Sequence, residues 1–487
     1  MAAQRIPAVR AAVQIMKDEG VDIVFGCPGA ALLPLYAAME EADGIERLPG
    51  RDEEGAAFMA DGWARTTGRT GVVAVTAGPG AARLITGLYA AQQDAVPLVC
   101  VTGRETAGPH RRAGPPRHEP GRPPDLVRLA GPVTKRAERI EDPARIPGAF
   151  REAFRIAREG RPGPVLIDLP ADLAAAEIVH DAGRRSGCGV RAPRVGAVRT
   201  GAVQVGAVQA AAVQTGEVQA GPVQAGSVRD ESVRAELVRP LGASGPAGHA
   251  GPGDPRAPVS WVLAEVAALF GAQDRPDTAP DTAPDAAPGS YLVSSSAGAG
   301  DAGLADAPYG QRHRLLRRSG PPGWEVPAAI GVRKALDSRG ERDAEVVVVV
   351  DGHGFPFPAE ELGSAVRHEV PFVLIMFNPG HEDHGRYRQH GRYEQHAPYD
   401  QGRTDHVKLV EAYGCAGRDV LDPAELRSAV EWARKEAVST RRPVLVEIRT
   451  ECAGRAPGGP SADPVHEFTH GTFAHGTFAQ GTYTHGT

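Results

Sequence analysis

Three residues with oxygen ligands follow two apolar segments in the second half of the chain. Asp351 comes directly after the valine run 346–350, and Asn378 and Gly380 follow the apolar segment 371–377. Such apolar runs are typical of strands buried on both faces of a parallel sheet. A carboxylate, an amide oxygen and a turn carbonyl are the hard ligands that magnesium takes together with phosphate oxygens and water. The pattern predicts a magnesium site, although these residue types alone also fit two unrelated strand-end caps.

Strand-like and helix-like segments alternate on both sides of these residues. The expected strands are residues 21–26, 70–78, 96–103, 163–170, 344–352, 370–378 and 442–451. The expected helices are residues 53–68, 79–94, 323–338, 358–369, 405–414 and 423–437. Alternation of this kind is typical of a parallel sheet covered by helices on both faces. The sequence therefore predicts an α/β protein with two doubly wound parallel-sheet domains.

A tract of different character separates the two halves. Valine recurs at every fifth position across residues 198–238, a period that gives neither a helix nor a strand a continuous apolar face. We interpret the tract as a low-complexity linker, with a short repeat structure as the alternative. The domains predicted are 1–182, a linker at 183–256, a second domain at 257–455 and a disordered repeat tail at 456–487.

Composition narrows the class of protein. A chain of 487 residues is long enough for two or three domains, and its net charge of −6 offers no basic surface for nucleic acid or an anionic membrane. Its five cysteines are widely scattered, without the spacing of a metal site or a disulfide framework. We expect a cytoplasmic protein that acts on a small molecule, without a secretion signal or a membrane-spanning segment.

The spacing in the second half resembles a known cofactor signature. Asp351-Gly352 followed 27 positions later by Asn378 resembles the thiamine-diphosphate signature of the acetolactate synthase superfamily. In that family an Asp, an Asn and a backbone carbonyl hold the metal on the diphosphate. The resemblance implies that Asp351, Asn378 and the Gly380 carbonyl bind Mg²⁺, with Gly352 and His353 beside the cofactor.

The first half resembles the pyrimidine-binding domain of the same family. Residues 20–39 and 50–80 follow the family's order of a Glu at a helix start, a Gly-Trp-Ala-Arg segment and a Gly-Pro-Gly turn. The resemblance implies that Glu53 bonds the aminopyrimidine ring and promotes proton loss from the thiazolium carbon. Without it, Glu53 would be an ordinary acid favoured by the helix dipole. The other implied cofactor contacts are Gly78, Pro79, Gly80, Gly323 and Trp324.

Within the superfamily the sequence is most similar to glyoxylate carboligases, also called tartronate-semialdehyde synthases. Residues 25–39, 159–178, 320–332 and 405–415 carry this similarity. The resemblance implies thiamine diphosphate and Mg²⁺ as cofactors, decarboxylation of a small 2-oxo acid followed by carboligation, and a homodimer or homotetramer. In those carboligases the catalytic Glu is replaced by Val, whereas Glu53 is present here, so the substrate is not carried over.

Other activities stay open. The place of the family's central domain, which holds FAD in some members, is taken by the repeat tract, so FAD is not expected. A Phe-Gln pair on the acceptor side is replaced by Gly121-Arg122, which favours a simple 2-oxo-acid decarboxylase as an alternative. A third possibility is a catalytically silent member of the family.

Several positions depart from the family pattern. Asp52 replaces the His before Glu53, and neighbouring like charges raise the pKa of a carboxyl group. Alignment on the helix that begins near residue 358 would instead place Gly352 and Pro379 on the metal-ligand positions. The remaining departures are Arg104 for Gln, Pro322 for a bulky apolar residue, Val350 for Gly and Pro379 for Asn. Together they predict altered or reduced activity.

Overall fold

The computed structural model describes the parts of the chain that carry regular structure. These are residues 4–78, 80–104, 125–180, 259–270, 290–295, 314–317, 323–351, 355, 358–378 and 404–449. Several residues named above lie outside them: Pro79, Gly121, Arg122, Pro322, Gly352, His353, Pro379 and Gly380. The predicted linker 183–256 and the predicted tail 456–487 also lie outside the described residues.

The first half is built on a six-stranded sheet whose neighbouring strands are all parallel. Its strands are β2 (Ile23–Cys27), β3 (Glu46–Pro49), β4 (Gly71–Thr76), β5 (Leu98–Arg104), β6 (Arg136–Arg139) and β7 (Pro164–Pro170). They lie in the order β3-β2-β4-β5-β7-β6. A separate antiparallel ribbon pairs β1 (Gln4–Pro7) with β8 (Glu177–His180), which brings the two ends of this half together.

The helices of the first half cover this sheet on both faces. They are α1 (Ala8–Asp18), α2 (Leu33–Ala42), α3 (Glu53–Thr67), α4 (Leu84–Gln93), α5 (Leu126–Ala130), α6 (Ile146–Arg158) and α7 (Ala171–Ala175). A 3₁₀ turn over Gly80–Arg83 precedes α4. The predicted helix at 79–94 is therefore regular α-helix only from Leu84 onward.

The second half is also built on a parallel six-stranded sheet. Its strands are β9 (Ser290–Ser295), β10 (Arg314–Arg317), β11 (Glu345–Asp351), β12 (Val373–Asn378), β13 (Ala416–Val420) and β14 (Val444–Arg449). They lie in the order β10-β9-β11-β12-β14-β13. The helices are α8 (Val259–Leu269), α9 (Glu325–Ser338), α10 (Glu361–Arg367), α11 (His406–Ala412) and α12 (Leu426–Thr440).

The two sheets share one topology. In each, the second strand lies outside the first, the third and fourth follow on the other side, and the last two strands are exchanged. The strand order reverses between β2 and β4 in the first sheet and between β9 and β11 in the second. In open α/β sheets such switch points leave a crevice beyond the carboxyl ends of the strands, where ligands bind. The prediction of two doubly wound parallel-sheet domains is confirmed.

The halves pack against each other through α3 and α9. A Cβ added to Gly62 would lie 2.2 Å from the Ala328 carbonyl oxygen, and one added to Gly331 would lie 1.9 Å from the Met59 carbonyl oxygen. Because only glycine leaves room for such contacts, the two helix backbones touch directly. Trp63 of α3 belongs to the same hydrophobic core as residues of the second half. The amino end of α9 is thereby held beside α3.

No helix among the described parts of the chain is both long enough and apolar enough to cross a membrane.

Candidate functional site

Glu53 stands at the start of α3, beyond the carboxyl end of β3. The preceding residue, Asp52, has an extended backbone, and its side chain accepts a hydrogen bond from the Gly55 N–H at 2.5 Å. An aspartate at this position caps the helix by satisfying one of the free N–H groups of the first turn. This cap sets where α3 begins and places Glu53 in the first helical position.

The Glu53 carboxylate lies against Gly80. A Cβ added to Gly80 would be 2.4 Å from Glu53 Oε1, so no other residue type fits here without displacing the carboxylate. A Cβ added to Gly78 would meet no atom within 4 Å, which leaves open space beside the same turn. The structure thus brings together three of the residues predicted for the site, although they come from two separate segments.

Charged groups surround this helix start. Arg83 forms an ion pair with Asp52, and its guanidinium nitrogen lies 3.8 Å from a carboxylate oxygen of Glu360. Asp52 therefore takes part in both the helix cap and an ion pair. Burial, followed by the charge of Asp52, raises the pKa of Glu360. The extra acid predicted to disturb Glu53 has a cationic partner of its own.

Glu361 adds a further carboxylate from the second half of the chain. Its Oε1 accepts hydrogen bonds from the backbone N–H groups of Arg51 at 2.8 Å and Asp52 at 3.4 Å. Glu361 is only 1% exposed, and burial raises its pKa to about 7, against the lowering effect of the Arg51 hydrogen bond. Glu361 was not among the residues predicted from sequence, where its helix serves only as an anchor for aligning the cofactor motif.

Cys27 ends β2 next to this group of acids. Its Sγ lies 3.8 Å from the Gly50 carbonyl oxygen. Burial raises the pKa of the Cys27 thiol to about 12, and the negative charges of Glu53 and Glu361 add to the effect. A thiol with such a pKa stays protonated near neutral pH, so Cys27 is not an activated nucleophile.

Trp324 lies at the amino end of α9, directly after Gly323. Gly323 has a φ of 95°, in the left-handed region that favours glycine. The Trp324 side chain is fully buried, and its Nε1–H donates to Asp61 of α3 at 2.9 Å. Arg65 donates to the same carboxylate at 2.6 Å and lies over the indole ring. The indole therefore links α9 to α3, and its buried N–H is already taken by Asp61.

Asp351 and Asn378 end two neighbouring strands of the second sheet. Asp351 pairs with Phe377, the residue before Asn378. The two predicted site residues therefore lie at the carboxyl ends of adjacent parallel strands, one residue apart in register. The Asn378 side-chain amide donates a hydrogen bond to Glu447 Oε1 of β14. Nδ1 of buried His406 lies 3.1 Å from the same oxygen. Glu447 and His406 were not predicted as site residues. From sequence, the segment of Glu447 indicated only a strand and that of His406 only a helix.

Two other sequence expectations bear on the site. Arg104, at the end of β5, lies 3.7 Å from a carboxylate oxygen of Asp168, which is also bound by Arg139 at 2.8 Å. Among the residues that the structure describes, no group of three or more His, Cys, Asp or Glu side chains is arranged to hold a metal ion. The roles assigned to Glu53, Asp351 and Asn378 remain predictions.

Two models of known protein families match the chain, one in each half. The model of the thiamine pyrophosphate enzyme N-terminal TPP binding domain matches residues 7–120. The model of the C-terminal TPP binding domain of the same enzymes matches residues 305–448. The chain belongs to the thiamine pyrophosphate enzyme family. The resemblance stated from the sequence motifs is confirmed.

Curated members of this family are similar to part of the chain. Glyoxylate carboligase of Escherichia coli O157:H7 is 40% identical over 178 residues, which is 36% of this chain and 29% of that protein. The acetolactate synthase large subunit of Lactococcus lactis subsp. lactis (strain IL1403) is 43% identical over 168 residues, or 34% and 28% of the two chains. The matched segment thus spans less than a third of each relative.

Two solved structures are similar to this chain in fold. The thiamine diphosphate-dependent 4-hydroxybenzoylformate decarboxylase of Rhodococcus jostii RHA1 matches with a TM-score of 0.64 at 18% identity, covering 92% of this chain and 99% of that one. Benzoylformate decarboxylase of Polynucleobacter necessarius matches with a TM-score of 0.62 at 15% identity, covering 93% and 99%. Likeness at this level of identity concerns the fold.

The residues at the edge of the first sheet fit the pyrimidine end of the family's cofactor. A carboxylate stands beside a glycine turn, with space open at Gly78 and a left-handed Gly323 at the start of α9. At the edge of the second sheet, Asn378 supplies an amide that Glu447 orients. An amide oxygen from Asn378 and a carboxylate from Asp351 are hard donors of the kind that Mg²⁺ prefers.

Proposed function

We propose that this chain is a thiamine diphosphate- and Mg²⁺-dependent carboligase of the acetolactate synthase or glyoxylate carboligase type. It would decarboxylate a small 2-oxo acid and join the remaining fragment to an aldehyde or a second oxo acid. The observation that supports this proposal most is the close contact of the Glu53 carboxylate with Gly80, beside the open space at Gly78. Membership of the thiamine pyrophosphate enzyme family supplies the cofactor.

Glu53 would act on a proton of the cofactor's aminopyrimidine ring. The bound cofactor supplies a thiazolium ring that accepts the electron pair released by decarboxylation. One Glu53 carboxylate oxygen would share a proton with a ring nitrogen, which is general acid–base work for a carboxylate held at a fixed place. Gly80 leaves room for this carboxylate, because a Cβ at that position would lie 2.4 Å from Glu53 Oε1.

The diphosphate end would be held at the edge of the second sheet. Asp351 and Asn378 would bind Mg²⁺ together with the Gly380 carbonyl, and Gly352 and His353 would lie beside the diphosphate. Because Glu447 accepts from the Asn378 amide nitrogen, it holds that amide in one orientation. An oriented ligand binds a metal at less entropic cost than a freely rotating one.

Simple 2-oxo-acid decarboxylation is the second candidate. The replacement of the acceptor-side Phe-Gln pair by Gly121-Arg122 favours it, together with the repeat tract that stands in place of the family's central domain. The partners proposed for either activity are a small 2-oxo acid and a second copy of the chain in a homodimer or homotetramer.

Product analysis separates the two activities. The protein with thiamine diphosphate and Mg²⁺ is incubated with pyruvate or glyoxylate, and the products are identified by NMR. The proposal expects carbon dioxide together with acetolactate or tartronate semialdehyde. Formation of free aldehyde without a new carbon–carbon bond would show that the activity is simple decarboxylation and not carboligation. No consumption of either oxo acid by a cofactor-loaded protein would contradict both activities for these substrates.

A further inference from the structure

We propose that Glu361 is a positioning residue for Glu53: a carboxylate from the second half of the chain that fixes the backbone entering α3. The inference rests on the proposed function, because it assigns a purpose to the place of Glu53. The contact itself is independent of that function. Glu361 and Arg51 are 310 positions apart in the chain and belong to the two halves, each built on its own sheet.

The hydrogen bonds reach the two residues directly before Glu53. Glu361 Oε1 accepts from the N–H of Arg51 at 2.8 Å and from the N–H of Asp52 at 3.4 Å. These groups precede the first turn of α3, whose Gly55 N–H is taken by the Asp52 side chain. Glu361 and the helix cap therefore hold consecutive backbone groups around Glu53.

Glycines make room for the Glu361 carboxylate. A Cβ added to Gly55 would lie 2.2 Å from Glu361 Oε1, and one added to Gly50 would lie 3.2 Å from it. The carboxylate is therefore wedged between the end of the preceding loop and the first turn of α3. Removal of this carboxylate would leave empty space between Gly50, before the helix, and Gly55, in its first turn.

The cost of burying this acid argues for a specific role. Glu361 is almost completely buried, and hydrogen bonds from the Arg51 N–H and the Ser364 hydroxyl offset only part of the effect of burial, so its pKa stays raised. Buried carboxylates are unfavourable unless their contacts compensate for lost hydration. The charge of Asp52, which is itself paired with Arg83, adds to the effect of burial on the pKa of Glu361. An apolar residue would fill this space at lower cost but would leave the Arg51 and Asp52 N–H groups without their acceptor.

Two substitutions separate positioning from simple support of the fold. Glu361→Gln keeps an oxygen acceptor of similar shape, whereas Glu361→Ala removes it. Glu411→Gln, on the exposed face of α11, controls for the loss of one negative charge. Each variant is titrated by calorimetry with thiamine diphosphate at saturating Mg²⁺. Glu361→Ala is also made in a Glu53→Gln background.

The proposal expects Glu361→Ala to weaken cofactor affinity at least tenfold and Glu361→Gln to restore it to within about threefold of the unmodified protein. In the Glu53→Gln background, Glu361→Ala should have little further effect, because it acts through Glu53. A loss of equal size in both backgrounds, or unchanged affinity in Glu361→Ala, would overturn the proposal.

Hydrogen exchange tests the contact without the cofactor. Exchange of the Arg51 and Asp52 amides is followed by mass spectrometry in the unloaded protein. Faster exchange in Glu361→Ala, with near-normal exchange in Glu361→Gln, is expected. If the unmodified protein failed to bind thiamine diphosphate, the proposed function would fail, and this result would still decide whether Glu361 holds the backbone. Unchanged exchange in Glu361→Ala would overturn the inference.

Discussion

The Glu53 carboxylate and Gly80 are in such close contact that any side chain on Gly80 would collide with Glu53 Oε1, which a Cβ there would approach to 2.4 Å. The two residues come from different connections of the first sheet, one entering α3 and the other preceding α4. Their contact places an acidic group beside a glycine turn, beyond the carboxyl ends of the strands of the first sheet. The proposed activity depends on this arrangement.

The substitution Gly80→Ala should displace Glu53 and weaken the binding of thiamine diphosphate. We expect a loss of at least tenfold, about 1.4 kcal/mol, measured by calorimetric titration. Gly148→Ala is the matched control, because a Cβ at Gly148 in α6 meets no atom within 4 Å and alanine favours a helix. Equal affinities for Gly80→Ala and the unmodified protein would contradict the proposed seat of Glu53.

Glu53→Gln should abolish most of the activity while preserving the fold. Glutamine keeps the size of the side chain but cannot exchange a proton with the cofactor's ring nitrogen. We expect the turnover number to fall by about 10² to 10⁴, the usual contribution of a general acid–base group. Steady-state kinetics on pyruvate or glyoxylate measure it, and circular dichroism controls for folding. Turnover within twofold of the unmodified enzyme would exclude the role.

The stability of the protein should carry a pH dependence from Glu361. Its pKa is raised by burial to about 7, whereas in the unfolded chain it is near the ordinary value of 4.5. The folded state therefore holds an extra proton between pH 4.5 and 7. Its contribution to stability is full below this range, declines as the pH rises through it, and is constant above it.

Glu361→Gln should remove this dependence, because glutamine does not titrate. The melting temperature of the variant, relative to that of the unmodified protein, should rise from pH 5 to pH 8. The corresponding free energy of unfolding is at most about 3 kcal/mol. Differential scanning calorimetry at both pH values gives the comparison, with Glu411→Gln as the control. The same temperature difference at both pH values would show that Glu361 does not titrate in this range.

Trp324→Phe should weaken the contact between the two halves. The substitution removes the Nε1–H that Asp61 accepts, and this carboxylate is fully buried. Asp61 keeps its hydrogen bond from Arg65, and the loss of one hydrogen bond to a charged group costs about 1.5 to 3 kcal/mol, so the melting temperature should fall. Trp432→Phe on α12, where the indole is partly exposed, is the control. A comparable decrease in both variants would indicate loss of aromatic packing rather than loss of the hydrogen bond.

Most inner strands of the two sheets were predictable from sequence because they are buried, whereas the inner strand β9 was missed. β7, β11 and β12 are nearly continuous apolar runs, as expected for strands covered on both faces. The edge strands β3, β6, β10 and β13 were also missed, since they are short and carry charged residues such as Arg136 and Asp419. Charged, short edges are how sheets avoid pairing with other chains, and they leave little hydrophobic signal.

The site was predictable only in part. Glu53, Gly80, Asp351 and Asn378 stand in motifs whose order and spacing could be compared with a family. The contact of Glu361 with Arg51 could not be foreseen, because it depends on how two sheets pack together rather than on local sequence. The same is true of Glu447 and His406, whose interaction spans 41 positions.

The account is tested most directly by calorimetric titration of the full chain with thiamine diphosphate in the presence of Mg²⁺. Binding in the micromolar range is expected. It should be lost when Mg²⁺ is removed by chelation, and it should also be lost in the Asp351→Ala variant. Absence of binding at millimolar thiamine diphosphate, in a protein shown to be folded, would contradict the proposed function.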